Sequence, residues 1–379
     1  MICQDFQGQQ LPMLGFGTMH LPRSADGTID ELQTAELVRS AMEQGIRYFD
    51  TAELRRKGES QRVMGQALKA YPRESFYLAS QFSLPRPGTE CDPAAAFEAQ
   101  LARCGTDYFD FYLLDNVYEK SINVFTDPKW GIVDYFLAQK RQGRIRHLGF
   151  SSHGGVEVLD RFLQLCGPAM EFCQIQLNCL DWTVQDAQSK CQLLEMWDLP
   201  IWVMAPLRGG ALVHLAPEDE AALRHARPQD SVASWAFRWL QGIPGVTMVL
   251  SGASSLTQLK NNIGVFQSWD PLSMDEEDLL LAAAEKLKTG VPCTGCGACL
   301  DGCPRHLNIP ALLNAYNDLK IAPDPAVAKR VAAMPPEKQP EMCIGCGRCA
   351  RVCPQGINVP IAIKEMGEIL SGISMTAGE

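Results

Sequence analysis

Along the first 289 residues, short apolar runs rich in β-branched and aromatic residues alternate with longer stretches in which apolar positions return every three or four residues. The short runs are MLGFG (13–17), RYFD (47–50), FYLAS (76–80), DFYLLD (110–115), HLGFS (147–151), FCQIQLN (172–178), IWVMAPL (201–207) and GVTMVLSG (245–252). Their length and composition predict strands. Stretches such as TAELVRSAMEQG (34–45), SQRVMGQALKAY (60–71), PAAAFEAQLARCG (93–105) and SVASWAFRWLQG (231–242) carry the helical period and separate many of the strands. Eight strands alternating with helices predict a parallel (β/α)8 TIM barrel, whose active site lies at the C-terminal ends of the strands. An open doubly wound sheet is the competing fold, but no Gly-x-Gly-x-x-Gly opens a helix after a strand.

The pattern changes near the end of the chain. IPALLNAYNDLK (309–320) and DPAVAKRVAAM (324–334) have helical apolar spacing with Pro where a helix begins, and VPIAIKEMGEIL (359–370) reads as a third helix. The expected division is therefore a barrel over 1–285 and a small, mostly helical domain over 286–379.

With 379 residues and 46% hydrophobic content, the chain is long enough for one large core plus a small appended domain. The formal net charge of −10 disfavours sequence-independent binding to nucleic acid or anionic lipid, which need clustered Lys and Arg. The start MICQDFQGQQLP lacks the features of a signal peptide, and no apolar run approaches the ~20 residues that span a bilayer. A cytoplasmic protein is expected. Residues 290–379 hold eight acidic and eight basic side chains, so the negative excess lies in the first 289 residues, where it reads as solubility.

Cysteine supplies the strongest chemical signal. Of fifteen Cys, eight fall in CTGCGACLDGCP (293–304) and CIGCGRCARVCP (343–354), both C-x2-C-x2-C-x3-C-P. The other seven are scattered without repeated spacing, as free thiols in a reducing compartment would be. Soft thiolates at three-residue intervals suit [4Fe–4S] clusters, whereas zinc usually takes two separated C-x2-C pairs. The runs resemble those of two-cluster ferredoxins, in which the fourth Cys ligates the other cluster. By that resemblance Cys293, Cys296, Cys299 and Cys353 hold one cluster, and Cys343, Cys346, Cys349 and Cys303 hold the second. The segment is thus expected to be a ferredoxin-like dicluster domain.

The barrel carries a family resemblance. LGFGTM (14–19), YFDTAE (48–53), GES…MGQAL (58–68), YFDFYLLD (108–115), GRIRHLGFSSH (143–153), VMAPLRGG (203–210) and LSGASSLTQLKNN (250–262) resemble the aldo-keto reductases, from the first strand to the last barrel helix. The joined cysteine runs resemble the branch of that family with a C-terminal ferredoxin-like domain. The resemblance implies NAD(P)H across the barrel mouth and a tetrad of Asp, Tyr, Lys and His that reduces a carbonyl. Asp50 matches the Asp. The Tyr position holds Arg55, the Lys position Gln81 and the His position Asp115. Arg stabilises an oxyanion but is a poor proton donor, and Gln cannot tune a neighbour through charge. Asp115 supplies a proton if burial or Asp50 raises its pKa, while pairing with Arg55 would hold it ionised. Family members with an acidic residue at the His position reduce conjugated enones, which tilts the expectation toward such substrates, although those members keep their Tyr.

By the same resemblance Gly17, Thr18 and Met19 border the nicotinamide, Ser151, Ser152 and Gln174 hold its amide, and Met204 takes the place of a stacking aromatic ring. Leu207, Arg208 and Gly210 approach the pyrophosphate. Gly252, Ala253, Ser254, Gln258 and Asn262 belong to the adenosine end, where Gly252 and Gln258 stand in place of the Lys and Arg that clamp a 2′-phosphate. That change leaves NADH, NADPH and flavin open. His153 and His20 each follow a predicted strand end, and His153 is included among the candidate catalytic residues. Two functions fit these residues. One is an iron–sulfur oxidoreductase reducing a small carbonyl or enone, with electrons exchanged with an external carrier. The other is a non-catalytic electron carrier or redox sensor with a ligand-binding barrel.

Overall fold

The computed structural model describes residues 1–24, 26–53, 58–84, 91–321 and 325–376. Its strands are β1 (Cys3–Phe6), β2 (Gln9–Pro12), β3 (Leu14–Gly17), β4 (Tyr48–Asp50), β5 (Tyr77–Ser83), β6 (Phe109–Val117), β7 (Ile145–Ser152), β8 (Cys173–Gln176), β9 (Ile201–Met204) and β10 (Val246–Ser251). Strands β3 to β10 close in chain order into a parallel barrel, with β10 returning to pair with β3. Each of the eight apolar runs holds one barrel strand, so the (β/α)8 expectation is met.

The helices form where local chemistry starts and stops them. Asp30 accepts the Gln33 N–H at 2.9 Å and begins the helix Glu31–Glu43. Asp92 does the same for Ala95 at 2.9 Å, and Gly105, at φ +62°, ends the helix Pro93–Cys104 in the left-handed conformation.

Sequence patterning did not anticipate β1 and β2. They pair antiparallel through a two-residue turn in which Gln7 and Gly8 both have positive φ (52° and 81°), the geometry that matches strand twist. Phe6, at its tip, packs with ring centroids 5.1 Å from Trp202 and 5.7 Å from Phe111. Together with Tyr48, Phe172, Met248 and Leu250 these side chains fill one buried cluster of the barrel interior, as a small barrel requires.

By internal contacts the chain forms two compact units, 1–177 with 181–206 and 237–271, and 178–180 with 207–236 and 272–379. The second unit contains the expected helices, observed at Ile309–Ile321, Pro325–Ala332 and Val359–Thr376. Its core joins Leu312, Leu313, Leu319, Val331, Ile363 and Met366 to Cys293, Cys299 and Cys349. The 207–236 segment follows β9 in sequence yet packs within this unit, where Arg227 Nε reaches Glu276 Oε1 at 2.6 Å. Among the described residues no helix is long and apolar enough to cross a membrane.

Candidate functional site

Strand register gathers the expected tetrad positions at the C-terminal ends of the barrel. Asp50 pairs with Gly17 and Ala79, Gln81 with Leu113, Ser83 with Asp115, and Ser151 with Gln174. Asp115 accepts two hydroxyl hydrogen bonds, from Ser83 Oγ and Ser151 Oγ, each at 2.7 Å. Asp50 differs: its Oδ1 is buried without a hydrogen-bond partner, and its backbone carbonyl accepts the Thr18 hydroxyl at 2.8 Å. Burial and then the Asp115 carboxylate raise the Asp50 pKa to about 7. Burial also raises Asp115, while the two serines pull it the other way. Both residues are only partly buried. The pair is therefore an arrangement in which one proton is retained near neutral pH.

Gln81 is buried, and its main-chain carbonyl accepts from Gln100 Nε2 at 3.0 Å. Arg55 lies outside the described residues. The backbone N–H of His153 donates to Asn116 Oδ1 at 2.9 Å, and the buried ring Nδ1 has no hydrogen-bond partner. Burial, then the Lys190 ammonium, lowers its pKa to about 4, so the ring is neutral at pH 7. His20 is exposed, and a Cβ at Gly252 would lie 3.6 Å from its own. Sequence reasoning missed Ser83. It stands two residues beyond Gln81, and that spacing puts both on one strand face, which was the readable signal.

The expected dinucleotide shelf divides. Ser152 Oγ donates to the Val117 carbonyl at 2.9 Å, and Ser151 is committed to Asp115. Gln174 Nε2 lies 3.9 Å from Met204 Sδ, whereas its Oε1 is buried without a partner. That orphaned acceptor fits a carboxamide N–H. Met19 is half exposed, and Gly17 and Gly252 approach closely enough that a Cβ on Gly17 would lie 3.7 Å from the Gly252 nitrogen. Farther along, Ser254 N and Oγ donate to Gln258 Oε1, and Asn262 Nδ2 donates to Ser251 Oγ at 3.0 Å. Ala253 is buried.

Leu207, Arg208 and Gly210 belong to the second unit. Arg208, Gly209 and Gly210 take consecutive positive φ values of 48°, 68° and 95°. A Cβ on Gly209 would lie 2.6 Å from the Thr294 carbonyl oxygen, so only glycine lets this loop meet the first cysteine loop. Arg208 is buried, and its charge acts on Cys293.

The eight run cysteines sort into two sets. Cys303, Cys343, Cys346 and Cys349 line one pocket, walled by Leu307, Ile309 and Ile363. Cys293, Cys296, Cys299 and Cys353 are mutual electrostatic neighbours. The fourth cysteine of each run thus lies with the first three of the other. Gly295 and Gly297 in one loop, and Gly345 and Gly347 in the other, all have φ between 67° and 70°. Backbone N–H groups turn toward sulfur, Gly295 toward Cys293 and Leu307 toward Cys303 Sγ at 3.5 Å. Burial pushes the Cys293 thiol up to about 11 and Cys299 up to about 12. Buried thiolates there need a compensating cation, and two sets of four soft donors with inward N–H groups fit cubane clusters. Among the described residues no three or more His, Cys, Asp or Glu side chains form a group that would hold a single metal ion.

Comparison with known proteins agrees with both parts. The family model for the aldo/keto reductase family matches residues 13–283, and that for the 4Fe-4S dicluster domain matches residues 292–358. An aldo-keto reductase from Mycobacterium sp. (strain KMS) is 31% identical over 287 residues, 75% of this chain and 91% of the relative. The aldo-keto reductase AKR11C1 from Bacillus halodurans, in its holo form, superposes with a TM-score of 0.59 at 26% identity, covering 73% of this chain and 93% of that one. An aldo/keto reductase from Klebsiella pneumoniae, solved in complex with NADP and acetate, shares the fold at 23% identity and a TM-score of 0.60, covering 74% of this chain and 94% of that chain. The barrel, its aligned mouth and the paired cysteine loops make this chain a member of the aldo/keto reductase family that carries a C-terminal 4Fe-4S dicluster domain.

Proposed function

We propose that this chain is an iron–sulfur oxidoreductase that reduces a small carbonyl or conjugated enone at the barrel mouth and exchanges electrons with an external carrier through two [4Fe–4S] clusters. The observation that carries the reading is the Asp50/Asp115 pair. With Arg at the Tyr position and Gln at the Lys position, the family's tuned phenol is absent. A carboxyl with a pKa of about 7 is a proton donor matched to neutral pH.

In this reading Asp50 holds the proton and delivers it to the substrate oxygen. Asp115, held by Ser83 and Ser151, supplies the neighbouring carboxylate that helps to raise Asp50. Arg55, assigned from its place in the sequence, binds and polarises the same oxygen. Gln174 Oε1, a buried acceptor without a partner, accepts a carboxamide N–H, which suits the nicotinamide end of NAD(P)H. His153, neutral and with its backbone N–H bonded to Asn116, orients the substrate without transferring a proton. When bound, a nicotinamide supplies a hydride and the clusters carry single electrons.

The test is anaerobic purification, metal and cofactor analysis, and turnover of a panel of aldehydes, ketones and enones with NADPH, NADH or reduced viologen as donor. Reduction of at least one class, lost in Asp50→Asn, is the expected result. A protein whose clusters cycle normally but which turns over nothing in the panel would instead be the electron carrier or redox sensor.

A further inference from the structure

The two cysteine sets differ in exposure. Cys293 and Cys299 are buried at 8% and 9%, whereas Cys346 is exposed. Around Cys346 the surface is neither acidic nor uniformly polar. Ile344 is 57% exposed and lines the same pocket as Cys346 and Arg305. Val352 is 51% exposed on the short helix that begins at Arg348. Arg305, Arg348 and Arg351 are all exposed, and a Cβ on Gly347 would lie 4.0 Å from Arg351 Nη1. Asp301 and Glu341 are the only carboxylates in 301–308 and 341–363, on a chain whose net charge is −10.

Exposed apolar side chains such as Ile344 and Val352 next to a redox centre offer apolar surface that a docked partner would remove from water, and apolar surface together with Arg is the composition of interface cores. A cluster with four thiolates is anionic, so a carrier with its own anionic centre is repelled unless cations offset the approach. Three arginines at the rim do this and impose long-range attraction on an acidic surface. Guanidinium groups also lose less hydration on contact than ammonium groups, and they are favoured in interfaces.

We propose that the face formed by Arg305, Ile344, Cys346, Arg348, Arg351 and Val352 is the docking site of a small acidic one-electron carrier protein, and that electrons enter the chain through the cluster of Cys303, Cys343, Cys346 and Cys349. The step is a single electron transfer. The reduced carrier loses one electron, the cluster gains it, and no bond or proton moves. The more buried set of Cys293, Cys296, Cys299 and Cys353 then receives electrons only from its neighbour. The proposal rests on the cluster reading above. A failure of that reading appears as iron-free protein, which is distinct from failure of the docking face.

Stopped-flow absorbance of the intact, cluster-loaded protein tests it, with a reduced acidic [2Fe–2S] ferredoxin as probe and dithionite as a small reductant. For the wild type, raising salt from 20 to 300 mM is expected to slow reduction by the ferredoxin at least tenfold and to leave reduction by dithionite within about twofold, as screening of opposite charges requires. The variant Arg305→Glu/Arg351→Glu is expected to slow the ferredoxin reaction at least tenfold at low salt, with the dithionite rate and the iron content retained. If that variant loses iron, Arg305→Gln/Arg351→Gln is read in its place for a flattened salt dependence. Ferredoxin reduction that ignores salt in the wild type, or that falls only in proportion to the dithionite rate in the iron-loaded variants, overturns the docking site.

Discussion

At the scale of single residues, the proposed chemistry turns on Asp50, whose pKa burial and the Asp115 carboxylate raise to about 7. Asp50→Asn should lower kcat/KM at pH 7 by about 10²–10⁴-fold, the usual worth of a positioned acid. In the wild type the rate should fall as pH rises through about 7, because the proposed proton donor is the protonated form of Asp50. Asp115→Asn should move that limb to lower pH, since the Asp115 charge helps to raise Asp50. A limb that stays in place would remove Asp50 from the acid's role.

The same group links stability to pH. Its folded pKa of about 7 lies above the ordinary 3.8, so the stabilisation by its proton is complete below 3.8 and is lost between there and about 7. The whole contribution is at most about 4 kcal/mol. His153 works in the opposite direction, because its value of about 4 lies below the ordinary 6.5 and its stability is lost as pH falls through that window. The readable quantity is therefore the difference between variant and wild type. By calorimetry, Asp50→Asn should raise the melting temperature more at pH 8 than at pH 5.

At the scale of elements, two loops and a hairpin have separable jobs. Phe6 brings the β1–β2 hairpin into the ring cluster of Trp202 and Phe111, and Phe6→Ala should cost about 3–5 kcal/mol in denaturant unfolding. The loop after β9 meets the first cysteine loop through Gly209, which places the buried Arg208 charge near Cys293. Reduction adds an electron to an already anionic centre, and a buried cation favours the reduced state. Arg208→Gln should therefore move the midpoint of the Cys293 cluster to more negative potential and leave the other unchanged. An EPR-monitored titration reads both at once, and equal shifts in the two would contradict the assignment.

At the scale of the whole molecule, iron content and ligand sharing can be counted. Eight thiolates in two sets predict about eight iron and eight sulfide per chain. Cys303→Ala should damage the cluster bound by Cys343, Cys346 and Cys349, even though Cys303 belongs to the other run. Loss confined to the Cys293 signal would overturn the pairing. Gly252 and Gln258 supply no cation for a 2′-phosphate, so fluorescence titration should find NADH and NADPH bound within about tenfold of each other, as the loss of charge-assisted hydrogen bonds implies.

Periodicity made the barrel legible because burial on one face repeats along the chain. All eight strand runs and the three C-terminal helices appear in the sequence at the places where they fold. The eight cysteines were legible for a related reason, since ligand spacing within a loop is a local property. Local pattern does not reach across the chain. The hairpin carried only a weak turn signal, Gln7-Gly8, and its use as a packed end of the barrel depends on Phe6 meeting rings from distant strands. Sequence also placed Asp50 and Asp115 at the mouth without deciding which would hold a proton. Their different environments came only with tertiary structure, because Ser83 and Ser151 come from neighbouring strands to donate to Asp115, while Asp50 Oδ1 is buried without a hydrogen-bond partner. Likewise, Arg208 was identified by resemblance as a pyrophosphate residue, and only packing brought its loop against Thr294. Spacing along a chain determines which groups are available, while burial and the company of distant residues determine their charge.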